Sequence, residues 1–207
     1  MELQEKLQDS VNRVLEGFSE TNEEGVYQLQ GAAVSIDNAT GYVTAIVGGR
    51  EQDIGIYTLN RAYQSHRQPG SSIKPLIVYT PFLEQGNTPD TLVLDAEIED
   101  GPKASYYYGE VTTRFAVQKS LNSVAWQLYT QLTPQTGLSY LKQMHFTAIE
   151  DTDFVPATAL GGFTKGVSAV EMAAAYATLQ NDGVYRTPTC IKEILDAEGK
   201  VVYTSTM

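Results

Sequence analysis

Four side chains in two short stretches carry the chemistry this sequence offers. In "PGSSIKP", residues 69–75, Ser71 and Lys74 stand three apart at the head of an apolar run. At the first turn of a helix that spacing puts both side chains on one face. Serine is a poor nucleophile at neutral pH, so a chemical role needs a base beside it and donors for an oxyanion. Lys74 can be that base when neutral, and burial and the positive end of a helix both push a lysine pKa down. Backbone N–H groups of the same helix start can receive the oxyanion. The structural alternative is that Ser71 or Ser72 caps the helix and Lys74 is solvated. The spacing alone is cheap, since Ser139 and Lys142 in "SYLK" repeat it inside a helical pattern and are assigned to a solvated face.

The second stretch is "KSLNSVAW", with Ser120 and Asn122 in S-x-N spacing. A hydroxyl that relays a proton and an amide that holds a substrate carbonyl can project there from one turn. This spacing is also common, as Ser10 and Asn12 repeat it near the N-terminus. The combination carries the weight: S-x-x-K preceded by R-x-P-G and followed by Pro, then S-x-N about fifty residues on. His66 and His145 have no Cys or carboxylate at metal-ligand spacing, so a metal site and a Ser-His-Asp triad have little support.

The positioning elements follow from periodicity. Residues 2–16 place Leu3, Leu7, Val11, Val14 and Leu15 on a helical stripe that ends at Gly17. "SETNEEG" is a polar connector, and "VYQLQGAAVSI" and "YVTAIVGG" flank a turn at Asp37 to Gly41, which predicts a β-hairpin. Residues 48–70 lack a sustained period and read as a long surface excursion, the kind of loop that is often functional. A helix is expected from Ser72 to Gly86 with Pro75 in its first turn and a kink at Pro81. Further helices are expected over 112–132, 136–146 and 168–183, followed by a second hairpin in "IKEILDAEGKVVY". Helix, hairpin, several helices and then strands again predict an α+β fold with an antiparallel sheet.

Composition narrows the class. The 207 residues are 42% hydrophobic, enough for one globular domain or a large piece of one. Fourteen Lys and Arg against 25 Asp and Glu leave a formal charge of −11, which opposes nonspecific binding to nucleic acid or anionic lipid. No window reaches the roughly 20 apolar residues that span a bilayer. The single Cys190 excludes an internal disulfide, and its strand-like surroundings predict a buried structural thiol.

The stretches "GAAVSIDNATGYVTAIVGG", "NRAYQSHRQPGSSIKP", "AVQKSLNSVAW" and "ALGGFTKGVSAVEMAAAYATLQNDGVYRTP" run in order from about residue 26. Together they resemble the transpeptidase domain of class A penicillin-binding proteins, the peptidoglycan-synthesising enzymes that β-lactams acylate. S-x-x-K with S-x-N and K-[ST]-G is a signature that family shares, in variant form, with class A β-lactamases. The resemblance implies a penicillin-binding protein/serine β-lactamase-like α+β fold, an antiparallel sheet with a helical subdomain. Residues 1–25 would be an N-terminal helix and linker, and 26–207 the transpeptidase domain. It implies Ser71 as the acylated nucleophile, Lys74 as its base, Ser120 as the proton shuttle and Asn122 as a ligand for the substrate peptide, with no cofactor and no metal. The implied partners are stem peptides ending in D-Ala-D-Ala and β-lactam antibiotics. The implied place is the extracytoplasmic face of a bacterial membrane, with the anchor outside these residues.

Two features depart from the pattern or refine it. Leu121 at the centre of S-x-N resembles the transpeptidase form more than the lactamase form, and no Glu can be assigned as a deacylating base. K-[ST]-G occurs nowhere; in the family it lies on a strand C-terminal of residue 207. The expectation is therefore a partial domain, incomplete at the C-terminus, whose remaining strands either continue beyond residue 207 or come from a complementary chain. "GAAVSI" would then present an unpaired apolar edge prone to aggregation. The alternatives are a catalytically incomplete fragment or a non-enzymatic module binding a peptide or partner, and a serine β-lactamase or carboxypeptidase sharing Ser71 and Lys74.

Overall fold

The structure, a computed structural model, describes residues 2–51 and 58–205. The chain divides into two units, Met1–His66 with Ser168–Met207, and Arg67–Val167.

In the first unit the expected helix is α1 (Glu2–Leu15) and the expected hairpin is β1 (Ala33–Ile36) paired antiparallel with β2 (Val43–Val47). Asp37 builds the turn by accepting from the Thr40 N–H at 2.9 Å and the Thr40 hydroxyl at 2.7 Å. One face of α1 then closes the outer edge of β2 with side-chain amides. Gln4 exchanges two 2.8 Å bonds with Ile46, Gln8 donates to the Gly49 carbonyl at 3.1 Å, and Asn12 accepts from the Glu51 N–H at 3.1 Å. The four-residue spacing of these amides, one helical turn each, supplies the backbone groups with the partners a neighbouring strand would give. Among the described residues β1 pairs with β2 alone. It packs against α7 (Ala169–Gln180), which starts in a Ser168–Glu171 capping box and is closed by the Gly183 N–H on Thr178 O at 2.9 Å.

Two expectations for this unit are corrected. Residues 48–70 are not wholly a surface excursion: α2 (Arg61–Gln64), capped by Asn60, buries Ala62, and Arg50 is buried, while residues 52–57 lie outside the described residues. Cys190 is exposed and precedes the C-terminal hairpin, in which β5 (Glu193–Leu195) pairs with β6 (Val201–Thr204). Its strand-like composition carries no burial.

The second unit is mainly helical. The rod expected from Ser72 to Gly86 is present in three geometries: a 3-10 turn over Gly70–Ile73, a π-helical turn over Pro75–Tyr79, and α3 (Thr80–Glu84). Pro81 has no N–H for Ile77, and the Thr80 N–H reaches back to Pro75 O, five residues, with the Thr80 hydroxyl on the same oxygen at 2.7 Å. Against this widened turn packs α6 (Pro134–Gln143) through Gly137, where a Cβ would lie 2.7 Å from the Ile77 carbonyl and 2.3 Å from the Tyr129 ring. Glycine is there for close approach. The core is formed by Leu76, Ile77, Val124, Leu128, Leu138 and Leu141, each contributing about 1.5–3 kcal/mol by burial.

The helix expected over 112–132 is two helices, α4 (Thr113–Gln118) and α5 (Asn122–Leu132). A hairpin, β3 (Leu92–Asp95) with β4 (Gly109–Thr112), precedes them and has no counterpart in the sequence reading. Its inward residues are Val93 and Asp95 while Leu92 and Leu94 face out, so one inward position carries a carboxylate and both of these outward positions carry an apolar side chain.

Candidate active site

The Ser71 turn is held from behind by its own unit. Arg67 and Val167 exchange two 2.9 Å backbone bonds, and the Gln68 side-chain amide pairs both ways with Phe163, accepting from its N–H at 2.7 Å and donating to its carbonyl. These bonds lay the "ALGGFTKGV" segment along "RQPG". Gly161, at φ +87°, presses against Gly70 so closely that a Cβ would sit 2.3–2.4 Å from the Gly70 N, Cα and O. The segment is braced in turn by Asp153, whose buried carboxylate accepts from the Glu150 N–H at 2.8 Å and from the Thr164 N–H and hydroxyl at 2.7 Å. Nothing local in either segment marks the other as its partner.

Within the 3-10 turn the Lys74 N–H donates to the Ser71 carbonyl, a three-residue step that stacks side chains i and i+3. Ser71 is exposed, and among the described residues its hydroxyl makes no hydrogen bond. Neither serine caps the helix: Pro69 holds the cap position and offers no side-chain cap. Ser72, also exposed, is occupied, donating from its hydroxyl to Pro69 O at 2.6 Å. Lys74 is 1% exposed, and its ammonium reaches the second motif, donating to Asn122 Oδ1 at 2.6 Å, Ser120 O at 2.8 Å and Ser120 Oγ at 3.2 Å. Residues 46 and 48 positions apart in sequence are thus gathered on one buried cation with the exposed Ser120 and Asn122 above it. Burial pushes Lys74 down from 10.5 to about 8.

Ser120 reaches the lysine with both its oxygens because it ends α4 rather than continuing it. The Leu121 N–H returns to Ala116 O and the Ser120 N–H to Val117 O, both at 3.0 Å, a helix stop that places Ser120 at φ +51°. Glycine is the usual occupant of that left-handed position, and a side chain there costs about 1 kcal/mol. A strained non-glycine residue touching a buried cation marks a place where the hydroxyl matters more than stability. The decoys behave as decoys: Lys142 is exposed against the Phe154 ring and Ser139 bonds its own helix at Thr136 O. Among the described residues no group of His, Cys, Asp and Glu could hold a metal ion.

Residues 31–206 match the family model for the penicillin binding protein transpeptidase domain. The chain belongs to that family. Penicillin-binding protein 4 of Bacillus subtilis is 37% identical over 84% of this chain, and penicillin-binding protein 1A of Clostridium acetobutylicum 34% over 92%. The chain covers 29% and 26% of those relatives, so it spans under a third of their length. Among solved structures, penicillin-binding protein 1A from Haemophilus influenzae superposes with a TM-score of 0.71 at 29% identity, over 89% of this chain and 29% of that one. The penicillin-binding protein PonA1 from Mycobacterium tuberculosis does so at 0.76 and 25% identity, over 96% and 53%. The expected penicillin-binding transpeptidase fold, mixed helix and antiparallel strand, is the fold observed.

The buried titrating groups of this chain give a stability profile with a definite sign. Between about pH 8 and 10.5 the unfolded chain holds a proton on Lys74 that the folded chain lacks, so stability rises with pH across that window. Burial raises Tyr79 and Tyr129, so above about pH 10 the unfolded chain loses protons that the fold retains, and stability falls. Urea unfolding from pH 7 to 11 is expected to show a maximum near about pH 10. The rising limb, at most about 1.4 kcal/mol per pH unit, should vanish in Lys74→Met.

Proposed function

We propose that this chain carries the acyl-transfer centre of a peptidoglycan D,D-transpeptidase. Ser71 attacks the carbonyl of a terminal D-Ala-D-Ala bond and keeps the acyl group as an ester while D-Ala leaves. An amine of a neighbouring stem peptide then takes the acyl group and frees the serine. Lys74 receives the Ser71 proton, Ser120 passes a proton to the leaving amine, and Asn122 holds the substrate peptide. A β-lactam acylates Ser71 by the same attack. The observation that carries the reading is the buried Lys74, lowered to about 8, held on Ser120 and Asn122, and one 3-10 step after Ser71, an exposed serine whose hydroxyl makes no hydrogen bond among the described residues. At that value roughly one lysine in ten is neutral at pH 7, enough for a base that turns over. The Ser71 turn, lacking a side-chain cap, leaves backbone N–H groups for the oxyanion.

K-[ST]-G is absent from these 207 residues, so the reading includes a strand from outside them that contributes a cation and a hydroxyl. The working location is the extracytoplasmic face of a bacterial membrane; no described helix is long and apolar enough to cross one. The test is incubation with a fluorescent penicillin followed by intact mass. It is run on this chain and on the chain continued through the K-[ST]-G strand of a relative. A single penicilloyl adduct that maps to Ser71 and disappears in Ser71→Ala is expected. Labelling that survives Ser71→Ala sinks the nucleophile assignment. The absence of any adduct on the continued chain favours the binding-module alternative.

A further inference from the structure

Asp95, at the end of β3, is 3% exposed and has no cation within ion-pair distance among the described residues. A buried carboxylate without a cation costs several kcal/mol unless other groups satisfy it. Two do: the Ser123 hydroxyl donates to one carboxylate oxygen, and the Tyr108 N–H donates to the other at 2.8 Å. Beside them Gln127 Nε2 donates to the Leu94 carbonyl at 3.0 Å, tying a second turn of α5 to the same strand. Ser123 is the second residue of α5, next to Asn122, whose side-chain oxygen holds the Lys74 ammonium at 2.6 Å. The residue at the N-cap of α5 is Leu121, which has no side-chain cap, so this helix start has no local anion or acceptor of its own. A carboxylate from another element stands near its positive end instead.

We propose that Asp95 is a positioning residue for the Lys74 site: through Ser123 it fixes the first turn of α5, and so sets Asn122 and Ser120 within reach of the lysine. The hairpin β3–β4 thereby becomes part of the catalytic apparatus without touching substrate. It also explains why β3 has an aspartate where an inward apolar residue belongs. This deepens the reading of Ser71, Lys74, Ser120 and Asn122 as one centre and adds a residue outside both motifs. The other charged side chains flanking this turn, Glu110 on β4, Arg114 on α4 and Lys119 at the C-cap of α4, are exposed. Asp153, the other buried carboxylate of the unit, is already engaged by the Glu150 and Thr164 backbone.

The test reads the lysine directly and needs no acyl transfer. The ammonium of Lys74 is titrated by NMR in the 207-residue chain carrying isotope-labelled lysine, as wild type, Asp95→Asn, Ser123→Ala and, as reference, Asn122→Ala. An acceptor on the ammonium favours its charged form, and so does a nearby anion. Letting Asn122 drift, or removing the carboxylate charge, must therefore lower the titration point below its value near 8. A fall of about half a unit or more in Asp95→Asn and Ser123→Ala, in the direction of the reference, is the expected result. A lower melting temperature with the Lys74 titration unmoved makes Asp95 a purely structural anchor and overturns the proposal. An upward shift, or no change in either quantity, overturns it as well. Should Asp95→Asn fail to fold, Ser123→Ala deletes one hydroxyl and gives the same readout. Failure of Ser71 to take a penicillin leaves this outcome untouched, so the two ideas fail separately.

Discussion

Lys74→Ala is expected to slow penicillin acylation of Ser71 by about 100- to 10,000-fold, the range over which a positioned general base contributes. The measurement is the second-order acylation rate from stopped-flow fluorescence, on the chain continued through the K-[ST]-G strand of a relative. The pH profile makes the test specific. With Lys74 lowered to about 8, the neutral fraction climbs about fivefold between pH 7 and 8 and levels off above. The wild-type rate should follow that curve, and the residual rate of Lys74→Ala should not. A wild-type profile flat from pH 6 to 9, or a Lys74→Ala variant that acylates at full rate, removes the lysine from the role of base. The variant is expected to keep its fold, because the alanine leaves acceptors that water can reach: Ser120 and Asn122 are exposed. Circular dichroism of the variant checks this.

Gly161→Ala is the second large effect, and it tests the support of the site rather than its chemistry. Two penalties act together: a φ of +87° that alanine adopts at a cost of about 1–2 kcal/mol, and a Cβ within 2.4 Å of the Gly70 backbone. Overpacking of that kind costs about 1–3 kcal/mol, against which a stiffer unfolded chain returns about 0.4–1 kcal/mol. A net loss of about 2–4 kcal/mol in urea unfolding is therefore expected. Whatever relief the structure finds moves Gly70 and with it Ser71, and a displacement of about 1 Å at a nucleophile costs about 100-fold in rate. The neighbouring Gly162 is the control: it is exposed, its nearest Cβ contact would be 3.4 Å from Ala157 O, and Gly162→Ala should stay within about 0.5 kcal/mol of wild type. Equal behaviour of the two variants would mean that the Gly161–Gly70 contact does not hold the serine turn.

The contrast between these glycines shows where sequence reasoning stops. Both stand in "ALGG", and both served there only as a resemblance to a family block. Which one is irreplaceable depends on a backbone some ninety positions earlier in the chain. The same limit applies to β3. Its buried aspartate and exposed leucines depart from the expected pattern, and the aspartate's partner is a hydroxyl on α5 that no local window contains. Cys190 fails in the opposite sense, since its neighbours are strand-like in composition but the strand begins three residues later.

What the sequence determined by itself is local and periodic: α1, the Asp37–Gly41 hairpin, α7 with its stop at Gly183, and the two motifs that single out Ser71, Lys74, Ser120 and Asn122. These follow from hydrophobic spacing and turn chemistry, which act over a few residues. Tertiary structure decided which copies of those motifs matter. S-x-x-K occurs twice and S-x-N twice, but only Lys74 is buried, and only Ser120 is turned into a left-handed stop that faces it. A lysine pKa moves when water is removed, and water is removed only when elements distant in sequence close over the side chain.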